Sequence, residues 1–293
     1  MPTTVNAKTF RAALGAAKAL GLDVGALADT WGLAAAMTDV DARFAHSAWL
    51  GLWQDIIRRT DSESIGIDAA ERLPWGHFDV IDYLFGTADD LGTALRRFER
   101  YFALLSTGVA HRLEHHGDTV HLVRRYAPDC YTQLLAPAEF AFASVVIRLR
   151  MALGVHWCPL EVHFDAPAPS NDEAQRRLFG CPIRFDVELS AIVMDAAALA
   201  LPMPKPDPEL SRILERHAEH VVGQLPTEFD VVASAKRAII TGLRDADVSV
   251  AQTAQQLVMS VRTLQRRLQD RGQSCDDVCD STRSELARRY LAD

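Results

Sequence analysis

The chain has 293 residues, 48% of them hydrophobic and 24% charged, with a formal net charge of −8. That length accommodates two domains with sizeable cores, and the acidic balance excludes a whole-chain basic footprint, so any contact with nucleic acid must come from a local patch. No apolar run reaches the roughly 20 residues of a membrane helix, and the start MPTTVNAKTF has neither the charged flank nor the apolar centre of a signal peptide, so the cytoplasm is the expected location.

In chain order, Thr9 to Leu20 has helical spacing and stops at Gly21, and Leu22 to Trp31 reads as a second short helix closed by Gly32. From Phe44 to Arg59 a helix is expected, capped by Ser47, with Leu50, Trp53 and Ile57 as its stripe. Ile65 to Leu73 is another, broken by Pro74, and Gly76 to Leu84 is ambiguous. Asp89 to Leu105 places Leu91, Leu95, Phe98, Phe102 and Leu105 at intervals of three and four, the pattern of an amphipathic helix. The period then changes to two. Val109, His111 and Leu113 alternate, as do Val120, Leu122 and Arg124, around Gly117-Asp118, a two-residue hairpin turn that sets Leu113 opposite Leu122 and Glu114 opposite His121.

Pro137 to Leu153 returns to helix, with Phe140, Ser144, Ile147 and Met151 on one side. Leu160 to Phe164 alternates as a strand, Asp172 to Phe179 is a short helix ending at Gly180, and strands are expected at Ile183 to Phe185 and Ala191 to Met194. Helices and strands mixed with a hairpin imply an α+β domain over residues 1–201, not a βαβ repeat.

Pro202 to Pro208, PMPKPDP, carries four prolines in seven residues and reads as a stiff connector. With the helix that follows it makes a linker over 202–226. In that helix Leu210, Leu214, His217 and Val221 have a heptad-like spacing. Two readings stand: the stripe pairs with another copy of the chain, or it docks on its own domain. Residues 227–293 read as purely helical, with Val232, Ile239 and Leu243 on the packing side of a helix from Asp230 to Leu243.

The stretch VSVAQTAQQLVMSVRTLQRRLQDRG, from Val248 to Gly272, reads as two short helices and a tight turn. Ser249 followed by Gln252 is a capping box, and Val250, Ala254 and Leu257 form one apolar stripe. Ser260 caps the second helix, Val261 to Gln269. There Val261, Leu264 and Leu268 share one side, while Arg262, Gln265, Arg266 and Gln269 show on the neighbouring side. Arg and Gln make bidentate hydrogen bonds to guanine and adenine edges in a major groove, so this is the make-up of a recognition helix. An ordinary solvated face has the same composition. Four Arg against one Asp between Ser249 and Arg271, in an acidic chain, favour the first reading.

MSVRTLQRRLQDRGQSCDDVCDSTRSELARRYLAD resembles the first helix-turn-helix and following linker helix of AraC/XylS-family transcription regulators. The resemblance rests on the S-x-R-T-L-Q-R-R-L core, the Gly272 turn, the loop with Ser274 and the R-x-E-L-A-x-x-Y-L-A run. It implies Arg262, Gln265 and Arg266 as base-facing residues, with Ser260 capping their helix and Arg267 and Arg271 reaching phosphates. The sequence departs from the family pattern twice. Val258 stands in the turn where many members have Gly, and the second helix-turn-helix expected after Leu291 is missing from a sequence that ends at Asp293.

The segments GHFDVIDYLFGTADDLGTALRRFERYFALLSTGV, GDTVHLVRRY, LEVHFDAPAP and FGCPIRF resemble the arabinose-binding-type N-terminal domain of such regulators. The resemblance implies a small-molecule effector domain that also dimerises. His77, Tyr83, Phe85, Tyr101 and Arg124 fall on elements expected to meet near the hairpin and are the candidate effector contacts; each is also compatible with ordinary core or surface. His111, His115, His116 and His121 crowd the hairpin, but strand alternation points His115 and His121 to opposite faces, so they cannot converge on a metal. Five Cys give neither a disulfide framework nor a CxxC pair; Cys275 and Cys279, four apart, could share a helix face as a redox or soft-metal sensor, but small apolar packing is the favoured reading. No G-x-S-x-G, P-loop, H-E-x-x-H or G-x-G-x-x-G is present.

The expected protein is therefore an α+β effector domain followed by an all-α helix-turn-helix module. It is not an enzyme, needs no cofactor or metal, and acts as a homodimer on double-stranded operator DNA in response to a small effector. The competing expectation is a small-molecule-binding or protein-interaction domain that does not read DNA.

Overall fold

The computed structural model describes residues 3–127, 130–153, 157–225, 232, 235–236, 238–239, 249–257, 260–269 and 271–290. The chain divides into two compact units. The larger spans Thr3–Asp29 and Leu33–Leu225, and the smaller is built around Pro226–Asp293.

In the larger unit the apolar sequence periods become α1 (Ala7–Ala19), α2 (Val24–Thr30), α3 (Ala34–Thr38), α4 (His46–Thr60), α5 (Ile65–Glu71), α6 (Val80–Gly86) and α7 (Leu91–Tyr101). Asn6 and Asp90 cap α1 and α7 by accepting the backbone N–H of Lys8 and Thr93. Two strands not expected from sequence, β1 (Thr4–Asn6) and β2 (Arg43–Ala45), pair antiparallel across about forty residues. Three residues are too few for a period-two signal to register.

The α4 stripe differs from the expected one. Trp49, Leu52, Trp53 and Ile56 are buried, Leu50 and Ile57 are half-buried, and the helix starts at His46 after an Ala45 that offers no side-chain cap, so Ser47 lies inside it. The stripe is displaced by one residue because Trp49 and Trp53 stack edge-on at 5.2 Å and both meet Phe140.

The hairpin forms as β3 (Val109–His116) and β4 (Thr119–Tyr126), with Leu113 opposite Leu122 and Glu114 opposite His121. Gly117 takes φ +61 in the turn. The sheet continues through β5 (Glu161–His163), β6 (Ile183–Arg184) and β7 (Ala191–Asp195) in the order β3-β4-β7-β5-β6. Its β5–β6 pair is parallel, joined through α9 (Glu173–Phe179). Helix α8 (Leu135–Leu153) brings Phe142 against Phe164 of the sheet region and against His111. It is buried almost all round, so the single stripe expected for it does not hold, and Met151 at its end is exposed.

The proline-rich segment is not a free spacer. Met203 is buried, its N–H donates to the Asp89 carbonyl, and Leu91 N–H donates to the Leu201 carbonyl. Helix α10 (Pro208–Gln224) then docks on α6 and α7 of the same unit through buried Ser211 and Ala218. The larger unit thus extends to Leu225 rather than ending near 201. Leu210 and Ile213 stay exposed on α10. Small residues take the docking face because the helices approach closely there, and the sequence stripe marks a different face.

In the smaller unit α11 (Val250–Gln256), α12 (Val261–Gln269) and α13 (Cys275–Tyr290) surround a core of Ala235, Ile239, Ala254, Leu264, Leu268 and Val278. Val232, Val250, Leu257, Cys275 and Cys279 pack against it. Leu243 and Val258 lie outside the described residues. Among the described residues no helix is long and apolar enough to cross a membrane.

Candidate functional site

The larger unit holds a pocket of about 660 Å³ of non-atom space, counting the part open to solvent. Its walls are aromatic and aliphatic: Trp49 from α4, Phe78, Ile81 and Phe85 around α6, Phe98 from α7, and Phe140 and Val145 from α8. Few polar groups reach it. Asp82 and Arg148 are both buried and form one ion pair, with Nε of Arg148 2.5 Å from Oδ1 of Asp82. Asp82 also accepts the Phe78 N–H, and the Arg148 guanidinium lies 4.3 Å from the centroid of the Phe78 ring. This pair is internally neutral.

Arg124 differs. It projects from β4 on the inward face shared with Val120 and Leu122, and it is 4% exposed. Its Nε donates to the Tyr126 hydroxyl at 3.1 Å, and its guanidinium carbon lies 5.1 Å from that ring's centroid. Its Nη1 has no hydrogen-bond partner, and among the described residues no carboxylate forms an ion pair with it. A buried guanidinium without a counter-charge is costly.

His46, at the start of α4, also lines the pocket, and neither of its ring nitrogens has a partner. Burial, together with the charge of Arg124, lowers its pKa to about 4, so it is a neutral imidazole near pH 7. His111, paired with Arg124 across the hairpin, is fully buried among Phe98, Phe102 and Phe142 and is held neutral in the same way. Thr9 and Ser144 add two more buried hydroxyls without partners at the pocket wall. An apolar chamber with a few convergent polar groups has the chemistry to hold a small amphipathic molecule.

Of the five residues expected around an effector, Phe85 and Arg124 line this pocket. His77 lies outside the lining, with Nε2 2.8 Å from the Lys8 carbonyl oxygen. Tyr83 is exposed. Tyr101 is buried, but its hydroxyl donates to Glu219 of α10, so it holds that helix. Sequence reasoning missed His46, Trp49, Asp82, Ser144 and Arg148. Apart from the aromatic Trp49, their signal was a polar residue set in an otherwise apolar helix face, which becomes readable only when the opposing elements are known. The histidines do separate by strand alternation: His116 and His121 lie 4.4 Å apart on one face while His111 is buried on the other, and among the described residues no cluster could hold a metal ion.

The second candidate surface is on α12. Ser260 Oγ accepts the Thr263 N–H at 3.1 Å, and Ser249 Oγ accepts the Gln252 N–H at 3.1 Å, capping α12 and α11. Leu264 and Leu268 are buried. Val261, expected beside them, is 37% exposed, because it sits at the first turn where the helix projects past the core. Arg262, Gln265, Arg266 and Gln269 are exposed. The helix ends in a Schellman arrangement: Gln273 N–H donates to Leu268 O, Gly272 N–H donates to Gln269 O, and Gly272 takes φ +69. Ser274 and Asp277 then cap α13 reciprocally. Arg271 is exposed at the turn, and the Arg267 side chain lies outside the described residues.

A family model described as the arabinose-binding domain of AraC transcription regulators, N-terminal, matches residues 21–203. The HTH-type transcriptional regulator VirS of Mycobacterium tuberculosis is 34% identical over 156 residues, covering 53% of this chain and 45% of VirS, so the match spans about half the length of that relative. The ornithine utilization regulator of Pseudomonas aeruginosa is 23% identical over 232 residues, covering 78% of this chain and 67% of that protein. The crystal structure of the transcriptional regulator CdpR from Pseudomonas aeruginosa aligns with a TM-score of 0.49 at 19% identity, covering 84% of this chain and 79% of CdpR.

Proposed function

The chain belongs to the AraC transcription regulators that carry an arabinose-binding-type N-terminal domain, and from that premise we propose that it is a ligand-responsive regulator that reads operator DNA directly. The observation that carries this reading is the division of α12: Leu264 and Leu268 are buried in the core while Arg262, Gln265 and Arg266 are exposed together. In this reading α11 and α12 are a helix-turn-helix, the three exposed side chains contact base edges, and Ser260 fixes the start of the reading helix. Arg267 and Arg271 reach phosphates. A small effector occupies the pocket of the larger unit and shifts its conformational equilibrium.

The protein acts in the cytoplasm as a homodimer. Leu210 and Ile213, 39% and 49% exposed on α10, support an apolar self-contact, and sedimentation at increasing concentration tests it.

Selection of binding sites from random duplexes, followed by titration with Arg266→Ala, tests the DNA role. Loss of about 1–3 kcal/mol with relaxed base preference is expected. Equal affinity for selected and random duplex at every salt concentration points instead to a protein-interaction module.

A further inference from the structure

We propose that the pocket of the larger unit takes a monocarboxylic acid with an apolar body, anchored by Arg124. This deepens the effector-binding reading above and rests on it.

The charge balance selects the class. Asp82 neutralises Arg148 through a buried ion pair, and His46 and His111 are uncharged near pH 7. Among the described residues the Arg124 guanidinium is left as one positive charge, 4% exposed, with Nη1 unpartnered. A single anion compensates it, and a carboxylate matches the planar geometry of a guanidinium. A dianion would leave one negative charge buried and uncompensated. His46 lines the same pocket with both ring nitrogens unpartnered, and its neutral ring N–H is a second donor available to the ligand.

The walls select the rest of the molecule. Trp49, Phe78, Phe85, Phe98 and Phe140 surround the space, and the remaining polar side chains are the hydroxyls of Thr9, Ser144 and Ser106, the last already accepting the Gly108 N–H. A sugar with a hydroxyl on every carbon would lose most of its hydrogen bonds there. An alkyl or aryl-alkyl chain loses none. The name of the matching domain type therefore does not describe the ligand this pocket suits.

The test uses the full chain and needs no DNA. Binding of sodium octanoate, 3-phenylpropanoate, 1-octanol and L-arabinose is measured by calorimetry at pH 7. Saturable binding of octanoate or 3-phenylpropanoate, with 1-octanol at least about tenfold weaker and arabinose undetected, is expected. In Arg124→Met the acid's advantage over the alcohol falls to within about threefold, with thermal unfolding reporting that the variant is folded. A second readout does not depend on that variant. Octanoate labelled with ¹³C at the carboxyl and bound to the wild-type protein should titrate at lower pH than free octanoate, because the guanidinium favours its ionised form. Binding of the alcohol as tight as the acid, arabinose binding alone, no binding of any probe, or a bound carboxyl that titrates at or above the free acid would each overturn the proposal. Because DNA is absent from every arm, loss of operator recognition and loss of acid binding are separate results.

Discussion

Arg97 on α7 donates from Nε to Oε1 of Glu215 on α10 at 2.7 Å, which ties the helix after the proline-rich segment to the elements that wall the pocket. Around this pair, Arg97 Nη1 also donates to Ser211 Oγ, Ser211 Oγ donates to the Thr87 carbonyl oxygen, and Arg100 and Tyr101 both reach Glu219. Phe85 and Phe98, on these same helices α6 and α7, line the pocket. A molecule that moves those rings acts on the seat of α10. The helix attaches to its own domain through Ser211 and Ala218, which are not on the heptad-like stripe, and Leu210 and His217 of that stripe stay exposed. The exposed Leu210 and Ile213 remain available to a second copy.

The Arg97–Glu215 pair predicts a measurable coupling. Arg97 is largely buried and Glu215 about a third exposed, so the pair is stronger than a surface bridge but still screened. A double-mutant cycle with Arg97→Ala and Glu215→Ala should give a coupling of about 1 kcal/mol in urea unfolding. Strictly additive variants would show that the helix is held by Ser211 and Ala218 alone.

Glu139 on α8 predicts a pH dependence. It is fully buried, with Oε1 2.5 Å from Gln175 Nε2, and burial raises its pKa from 4.5 to about 8. The folded protein therefore keeps the proton that the unfolded chain releases above pH 4.5. Glu139's contribution to stability is fully present below that value and falls as pH rises towards 8, by on the order of 1.4 kcal/mol per unit. Glu139→Gln should flatten that slope and stabilise the protein at pH 7.5; unfolding of both proteins at pH 5, 6.5 and 7.5 checks this.

Gly66 sets how closely α5 approaches α8. A Cβ built there would collide with the Ala136 carbonyl oxygen and lie 2.8 Å from Glu139 Cβ. Neither neighbour is a flexible chain end, so the helices must separate. Gly66→Ala should cost about 2–3 kcal/mol, read from the urea midpoint, despite the better helix propensity of Ala. A neutral or stabilised variant would show that the contact yields freely.

Arg271 is exposed at the end of α12, beside the Gly272 turn. In the proposed role of a phosphate contact it would carry no base information. Arg271→Ala should weaken binding to selected and random duplexes alike and lower the slope of log affinity against log salt by about 1. Altered base preference in a selection experiment would place it among the base-reading residues instead.

Where local pattern governs the outcome, the sequence was sufficient. Gly117-Asp118 set the hairpin register to the residue, because a two-residue turn and period-two burial leave one alignment. Ser249, Ser260 and Gly272 marked helix ends because caps depend on three or four neighbouring residues. The exposed and buried sides of α12 followed from its period, apart from Val261 at its first turn. Membership of the AraC family was legible from these motifs as well.

The pocket was decided by tertiary structure. Arg124 and Phe85 were identifiable as candidates, but His46, Asp82 and the Ser144–Arg148 pair of α8 come from three segments dozens of residues apart, and no local period links the three. Whether Arg148 is neutralised and Arg124 is not depends on Asp82 lying within reach of one and not the other. Charge compensation is a property of distance across the fold, and distance across the fold is fixed only when α4, α6, α8 and the hairpin have packed.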